Sequence, residues 1–96
     1  MKRDAISIKE EDNVATALRD LSRDETASVG IGKKTMEIKL IENVEYGHKF
    51  AICDIPAGQD IIKYGEVIGR ATADIQSGAH AHIQNIESLR GRGDLA

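Results

Sequence analysis

Two histidines separated by one residue, His80 and His82, are the side chains of this sequence best suited to chemistry by type and spacing. They lie in the segment Gly78-Ala-His-Ala-His-Ile-Gln-Asn85. In an extended chain, successive side chains point to opposite faces, so both imidazoles are expected on one face together with Gln84. Imidazoles at this spacing can converge on one metal ion or hold an anionic substrate. The same pattern also describes the solvent-facing side of an ordinary strand, and the pair alone leaves both interpretations open.

A complete metal site within this chain has little support from the sequence. Zinc and iron centres usually take three or more protein ligands, and only the His80 and His82 pair has ligand-like spacing. The nearest carboxylates, Asp74 and Glu87, are not placed beside the pair by spacing alone. The sequence therefore favours half a site that another chain completes.

Two further pairs of residues are candidates for binding an anion. His48 and Lys49 directly precede an apolar strand, and Lys63 and Tyr64 come directly before a glycine turn. A lysine at such a position can hold a carboxylate, although most lysines are simply exposed. Arg90, in the segment Arg90-Gly-Arg92, is either a local anion contact or part of a solvated tail.

The elements that must position these residues are mostly short strands. Segments with β-branched or alternating apolar residues are separated by glycine turns, which is typical of a small all-β barrel or sandwich. The near-continuous apolar run from Phe50 is expected to be a central strand. The predicted strands are residues 5–8, 26–32, 36–44, 50–55, 59–63, 67–72 and the histidine segment.

One helix is also predicted. Asp12 or Asn13 is an N-cap candidate, and the apolar residues that follow, from Val14 to Leu21, recur at helical spacing. The helix should have about two to three turns and bury one face.

Composition sets the class of protein. A chain of 96 residues makes one small domain, and its net charge of −3 argues against a nucleic-acid partner. No apolar run reaches the roughly 20 residues that span a bilayer, and no signal sequence opens the chain, so a cytoplasmic protein without a membrane partner is expected. The single cysteine, Cys53, is expected to be a small buried hydrophobic residue.

Six blocks of this sequence carry a resemblance to a known family: residues 12–21, 47–51, 54–55, 62–66 with 68–71, 78–85 and 90–94. Together they resemble the amino-terminal SAF domain of the altronate and galactarate dehydratases. The resemblance implies a mostly β, β-clip fold and a single SAF domain over residues 1–96, with a core of residues 1–90 and a flexible tail of residues 91–96. It also implies a separate small subunit that works with a large catalytic dehydratase subunit on a sugar acid.

The resemblance further implies the chemistry. Relatives dehydrate sugar acids with a divalent metal, commonly iron(II), which is expected to be held mainly by the partner subunit. By the resemblance, His48, His80 and His82 are catalytic candidates, and His80 and His82 are also the metal candidates. The substrate-binding candidates are Lys49, Lys63, Tyr64, Asn85 and Arg90.

Other functions stay open beside this one. A close alternative is the alpha subunit of a sulfolactate sulfo-lyase, and another is a non-catalytic SAF binding or assembly module. The chain departs from its relatives at Gln84, where the family strand often has a third histidine. Copies of the isolated domain can also pair through exposed edge strands, which leaves a homo-oligomer open.

Overall fold

The structure of the protein is a computed structural model, and it describes residues 3–88. Within this range the chain forms nine short strands and no helix. The strands are β1 (Ala5–Ser7), β2 (Val14–Ala17), β3 (Thr26–Ile31), β4 (Lys34–Lys39), β5 (Lys49–Ala51), β6 (Asp60–Lys63), β7 (Glu66–Ala71), β8 (His80–Ala81) and β9 (Ile86–Ser88). The predicted mostly β architecture is confirmed.

The strands form two sheets. The larger has the order β4-β3-β1-β2-β5-β8, and the smaller has the order β6-β7-β9. β1 and β3 are parallel, and the other strand pairs are antiparallel. Because β5 pairs with β8, Phe50 lies opposite His80 and Lys49 lies opposite Ala81. This pairing brings the first histidine segment beside the second.

Two apolar cores lie on opposite faces of β2 and β5. Ala15 and Phe50 are cross-strand neighbours that belong to one core, whereas the next pair along, Val14 and Ala51, belongs to the other. The second core also takes side chains from β6 and β7, and so packs the smaller sheet against the larger. Burial on both faces explains why the sequence around Phe50 is apolar without alternation.

The helix predicted after Asn13 is wrong. Val14–Ala17 instead form β2, which is paired along both edges, with β1 and with β5. Consecutive residues Val14 and Ala15 are both buried, on opposite faces, and Leu18, which helical spacing would bury, is 45% exposed. Pairing with two neighbouring strands overrides the helical spacing of the apolar residues.

Asp12 and Asn13 do not cap a helix but anchor the β6–β7 hairpin. The buried Asp12 carboxylate accepts hydrogen bonds from four backbone N–H groups. Asn13 Oδ1 accepts from the Ile62 N–H at 2.8 Å, and its Nδ2 donates to the Asp60 carbonyl at 2.8 Å. The four donors to Asp12 are Ile8, Lys9, Tyr64 and Gly65, at 2.7 to 3.2 Å.

The hairpin itself agrees with the sequence. Tyr64 and Gly65 connect β6 to β7 with φ of 55° and 78°, which is the two-residue turn that suits a twisted hairpin. Tyr64 is not a glycine, so its left-handed conformation depends on support from outside the turn. The Asp12 carboxylate supplies that support.

Other expectations were met in part. The strand expected over the whole histidine segment ends at Ala81, after which the chain turns and its Asn85 and Ile86 N–H groups donate to the His82 carbonyl. Cys53 is exposed rather than buried, since β5 has ended at Ala51 and the chain bends. Arg90 and the tail of residues 91–96 lie outside the described residues.

One finding bears on membranes. Among residues 3–88 there is no helix long and apolar enough to cross a bilayer.

Candidate functional site

The three histidines of the chain come together in one cluster. The His48 Nδ1 and His80 Nε2 atoms are 2.9 Å apart, a hydrogen-bond distance, and the two ring planes differ by 13°. The His82 ring stacks on that of His48, with centroids 4.4 Å apart and planes 18° apart. Imidazoles that are 32 and 34 positions apart in sequence are therefore in direct contact.

Polar side chains fix the backbone that carries this cluster. Glu42 Oε1 accepts a hydrogen bond from the His80 backbone N–H at 2.9 Å. Asn85 Oδ1 accepts from the His82 N–H at 2.9 Å, and Asn85 Nδ2 donates to the His80 carbonyl at 2.9 Å. Asn85 thus binds the backbone of both histidines from the turn that follows them. A substrate contact by Asn85 stays a prediction.

A cleft opens directly beside the cluster. It has a volume of about 420 Å³ and is lined on one side by His82. The predicted substrate-binding residues Lys49, Lys63 and Tyr64 line it as well, so the structure brings these four together. Lys63 Nζ lies 5.0 Å from the centroid of the Tyr64 ring, within the range of a cation–π contact. The remaining lining residues are Glu66, Ile68, Ile83, Ile86 and Ser88.

Burial and neighbouring positive charge shape the electrostatics of the cleft. Burial, and then the charge of Lys63, lower the pKa of Lys49. Burial, and then His48 and Lys49, lower the pKa of His82. Burial, and then His48 and His82, lower the pKa of His80, although Glu42 opposes the shift. Such a site disfavours additional protons and favours an anion.

The cluster fits a resident metal ion in distance but not in hydrogen bonding. One nitrogen of each ring lies within 4.8 Å of the others, close enough for small rotations to direct all three at one ion. However, His48 Nδ1 and His80 Nε2 lie 2.9 Å apart, and a hydrogen bond between them occupies one nitrogen of each ring. While it persists, neither nitrogen offers a free lone pair to a metal.

Sequence reasoning missed the residues that complete the site. Glu66 and Ser88 enter the cleft from β7 and β9, and Ile83, 84% exposed, lies at its edge. Glu66 and Ser88 belong to the cleft only because the smaller sheet packs against β5, a long-range contact with no local sequence signal. Asp12 also supports the site, because it holds the turn that carries Tyr64.

Comparison with known proteins identifies the family. A sequence profile described as the altronate/galactarate dehydratase SAF domain matches residues 3–89. The chain belongs to this family. The match includes the whole histidine cluster, the hairpin with Lys63 and Tyr64, and the loop with Asp12.

The two altronate dehydratases matched are several times longer than this chain. It is 45% identical to altronate dehydratase of Escherichia coli strain K12 over 83% of its own length but only 15% of that enzyme. It is 37% identical to altronate dehydratase of Bacillus subtilis strain 168, of which it covers 16%. It is also 38% identical to a protein named (2R)-sulfolactate sulfo-lyase subunit alpha, of Paracoccus pantotrophus, over 50% of this chain and 72% of that protein.

Proposed function

We propose that this chain is the β-clip SAF unit of a cytoplasmic sugar-acid dehydratase of the altronate/galactarate type. It contributes side chains to a carbon–oxygen lyase site shared with a large catalytic partner. The observation that supports this most strongly is the cleft, where His82, Lys49, Lys63 and Tyr64 meet beside the other two histidines. A passive module has no need of this convergence.

The cleft suits a small hydroxylated acid. The ammonium groups of Lys49 and Lys63 line one cavity and attract a carboxylate. Glu66 and Ser88 offer oxygen atoms for hydroxyl groups, and the isoleucines of the lining cover the carbon chain. The volume of about 420 Å³ is in the range of small-molecule sites.

The imidazoles suit an elimination. Dehydration of a hydroxy acid removes a proton next to the carboxylate and protonates the departing hydroxyl, which calls for a base and an acid. Within residues 3–88 no hydrogen bond reaches the ring nitrogens of His82. Burial, and then His48 and Lys49, lower the pKa of His82, which favours the neutral ring that is able to accept a proton from substrate.

The rest of the site is assigned to the partner. The cleft is open to solvent, whereas elimination chemistry benefits from the exclusion of water. The iron(II) implied by the family is placed mainly on the partner, since a hydrogen bond between His48 Nδ1 and His80 Nε2 occupies one nitrogen of each ring. On this basis the chain is inactive by itself.

A sulfolactate sulfo-lyase is the second candidate. The alpha subunits that carry this name resemble the chain in size, since the chain covers 61% and 72% of two of them. Such an enzyme would expel sulfite rather than water, and the paired lysines would suit a substrate with both a carboxylate and a sulfonate.

The test is reconstitution. The 96-residue chain is mixed with the large catalytic domain of a family dehydratase and iron(II), and is assayed with aldonates, aldarates and sulfolactate. We expect turnover only when both proteins are present, with an aldonate or aldarate as substrate. Turnover of sulfolactate but of no aldonate or aldarate would select the second candidate.

The module hypothesis is tested in the same assay. If the large domain alone is as active as the mixture, the chain has no catalytic role and acts in binding or assembly. Pull-down of the large domain by the chain, measured in parallel, shows whether the two proteins associated in the first place.

A further inference from the structure

The contacts of Gln84 reveal how its amide is oriented. Gln84 Nε2 lies 3.1 Å from His80 Nδ1 and 3.3 Å from the His80 carbonyl oxygen. A carbonyl oxygen can only accept a hydrogen bond, so the end of the amide that faces it is the NH₂ group. Rotating the amide would place two oxygens against each other. Gln84 is therefore a donor to His80 Nδ1.

This orientation sets the position of the protons on two rings. Because His80 Nδ1 accepts, neutral His80 carries its proton on Nε2. That proton is donated to His48 Nδ1, 2.9 Å away. His48 Nδ1 is then an acceptor, so neutral His48 carries its own proton on Nε2. The hydrogen bonds run in one direction, from Gln84 through His80 to His48.

We propose that Gln84 is a positioning residue that makes His48 and His80 a proton-holding pair and keeps metal ions off His80 Nε2. An ion bound at Nε2 would force the ring proton to Nδ1, where it would face the NH₂ group of Gln84. Histidines that bind metals ordinarily donate this second N–H to a carboxylate or a carbonyl. Here the group beside His80 Nδ1 is the NH₂ of Gln84, which is a donor and cannot accept this N–H.

The proposal also assigns catalytic roles to these histidines, and this part of it rests on the proposed function. His48 carries its N–H at Nε2, and this group is free to act as a hydrogen-bond donor. His82 stands outside the hydrogen-bonded series and has no donor fixed against it among residues 3–88. His82, which lines the cleft, therefore supplies the base side of the elimination.

Nitrogen-15 NMR of the full chain tests the proton positions without any assay of activity. In the wild type, at a pH where the rings are neutral, we expect His80 to be protonated at Nε2 and His48 at Nε2. In Gln84→Glu the carboxylate accepts from His80 Nδ1, so both rings should change to the Nδ1-protonated form. Gln59→Glu adds the same charge at another exposed glutamine and should leave the tautomers unchanged.

Zinc binding provides the second measurement. Gln84→Glu supplies the acceptor that a zinc-bound His80 needs, so it should bind Zn²⁺ about 10- to 100-fold more tightly than the wild type or Gln59→Glu. A wild type with His80 protonated at Nδ1 would overturn the proposal, as would equal Zn²⁺ affinities of Gln84→Glu and the wild type. Because neither measurement involves the catalytic partner, either result is independent of the outcome of reconstitution.

Discussion

Replacing Asp12 should loosen the hairpin that carries two of the cleft residues. Its carboxylate is buried and accepts from four backbone N–H groups, two before β2 and two in the β6–β7 turn. In Asp12→Ala all four lose their acceptor. At about 1 kcal/mol each, the free energy of unfolding should fall by about 4 kcal/mol. For a domain of this size that is a decrease of about 16 to 32 °C in Tm.

The conservative variant Asp12→Asn should cost less, for a reason visible in the contacts. Oδ2 accepts from Ile8, Lys9 and Tyr64, and Oδ1 accepts from Gly65. An asparagine oxygen at the Oδ2 position keeps the first three and leaves its NH₂ facing the Gly65 N–H. The loss should then be about 2 kcal/mol.

Thermal and urea unfolding of these variants test the magnitude, with Glu11→Ala as a control that removes the neighbouring exposed carboxylate. Hydrogen exchange should accelerate most at the Tyr64 and Gly65 amides. Burial alone would raise the pKa of Asp12, but its backbone hydrogen bonds together outweigh burial and lower it. The contribution is therefore present above about pH 4 and is lost as the pH falls through the lowered pKa. An Asp12→Ala Tm equal to that of Glu11→Ala would refute this account of the hairpin.

Two further predictions concern a lysine of the cleft and the close backbone contact at Gly78. In the reconstituted enzyme, Lys49→Met should raise KM about tenfold or more, because a contact to the substrate carboxylate is lost. The control Lys33→Met, in an exposed turn, should leave KM unchanged. Equal effects of the two variants on KM would argue against substrate binding at Lys49. Gly78→Ala should destabilise the fold far more than Gly58→Ala. Both glycines have φ near +88°, so the backbone strain of an alanine is the same at the two positions. Only at Gly78 would the added Cβ lie 2.1 Å from a backbone oxygen, that of Lys39. Urea unfolding measures the difference, and equal losses would show that the close approach has no cost.

Local sequence patterns predicted much of the fold. The β6–β7 hairpin follows from two short apolar runs around Tyr64-Gly65, and β4 follows in part from the alternation that begins at Met36. The error after Asn13 arose because Val14 and Ala17, which fit one face of a helix, also fit a strand that is buried on both faces. Only the partners of β2 decide between the two, and they lie far away in the sequence.

The site was predictable in its members but not in its connections. Histidine spacing and family resemblance singled out His48, His80 and His82, and the structure places them together. Their catalytic roles remain predictions. The direction of the hydrogen bonds through Gln84 depends on a turn after β8 that alternation did not anticipate. The contribution of Glu66 and Ser88 depends on the packing of the two sheets.

The turnover of His82→Ala in the reconstituted enzyme tests the central claim most directly. If His82 accepts the proton next to the carboxylate, kcat at saturating substrate should fall about 10²- to 10⁴-fold. The variant should keep the Tm of the wild type, because His82 is half-buried and stands outside the hydrogen-bonded series. A kcat within about twofold of the wild type, with Lys33→Met as the reference, would contradict the claim that this cleft is part of the active site.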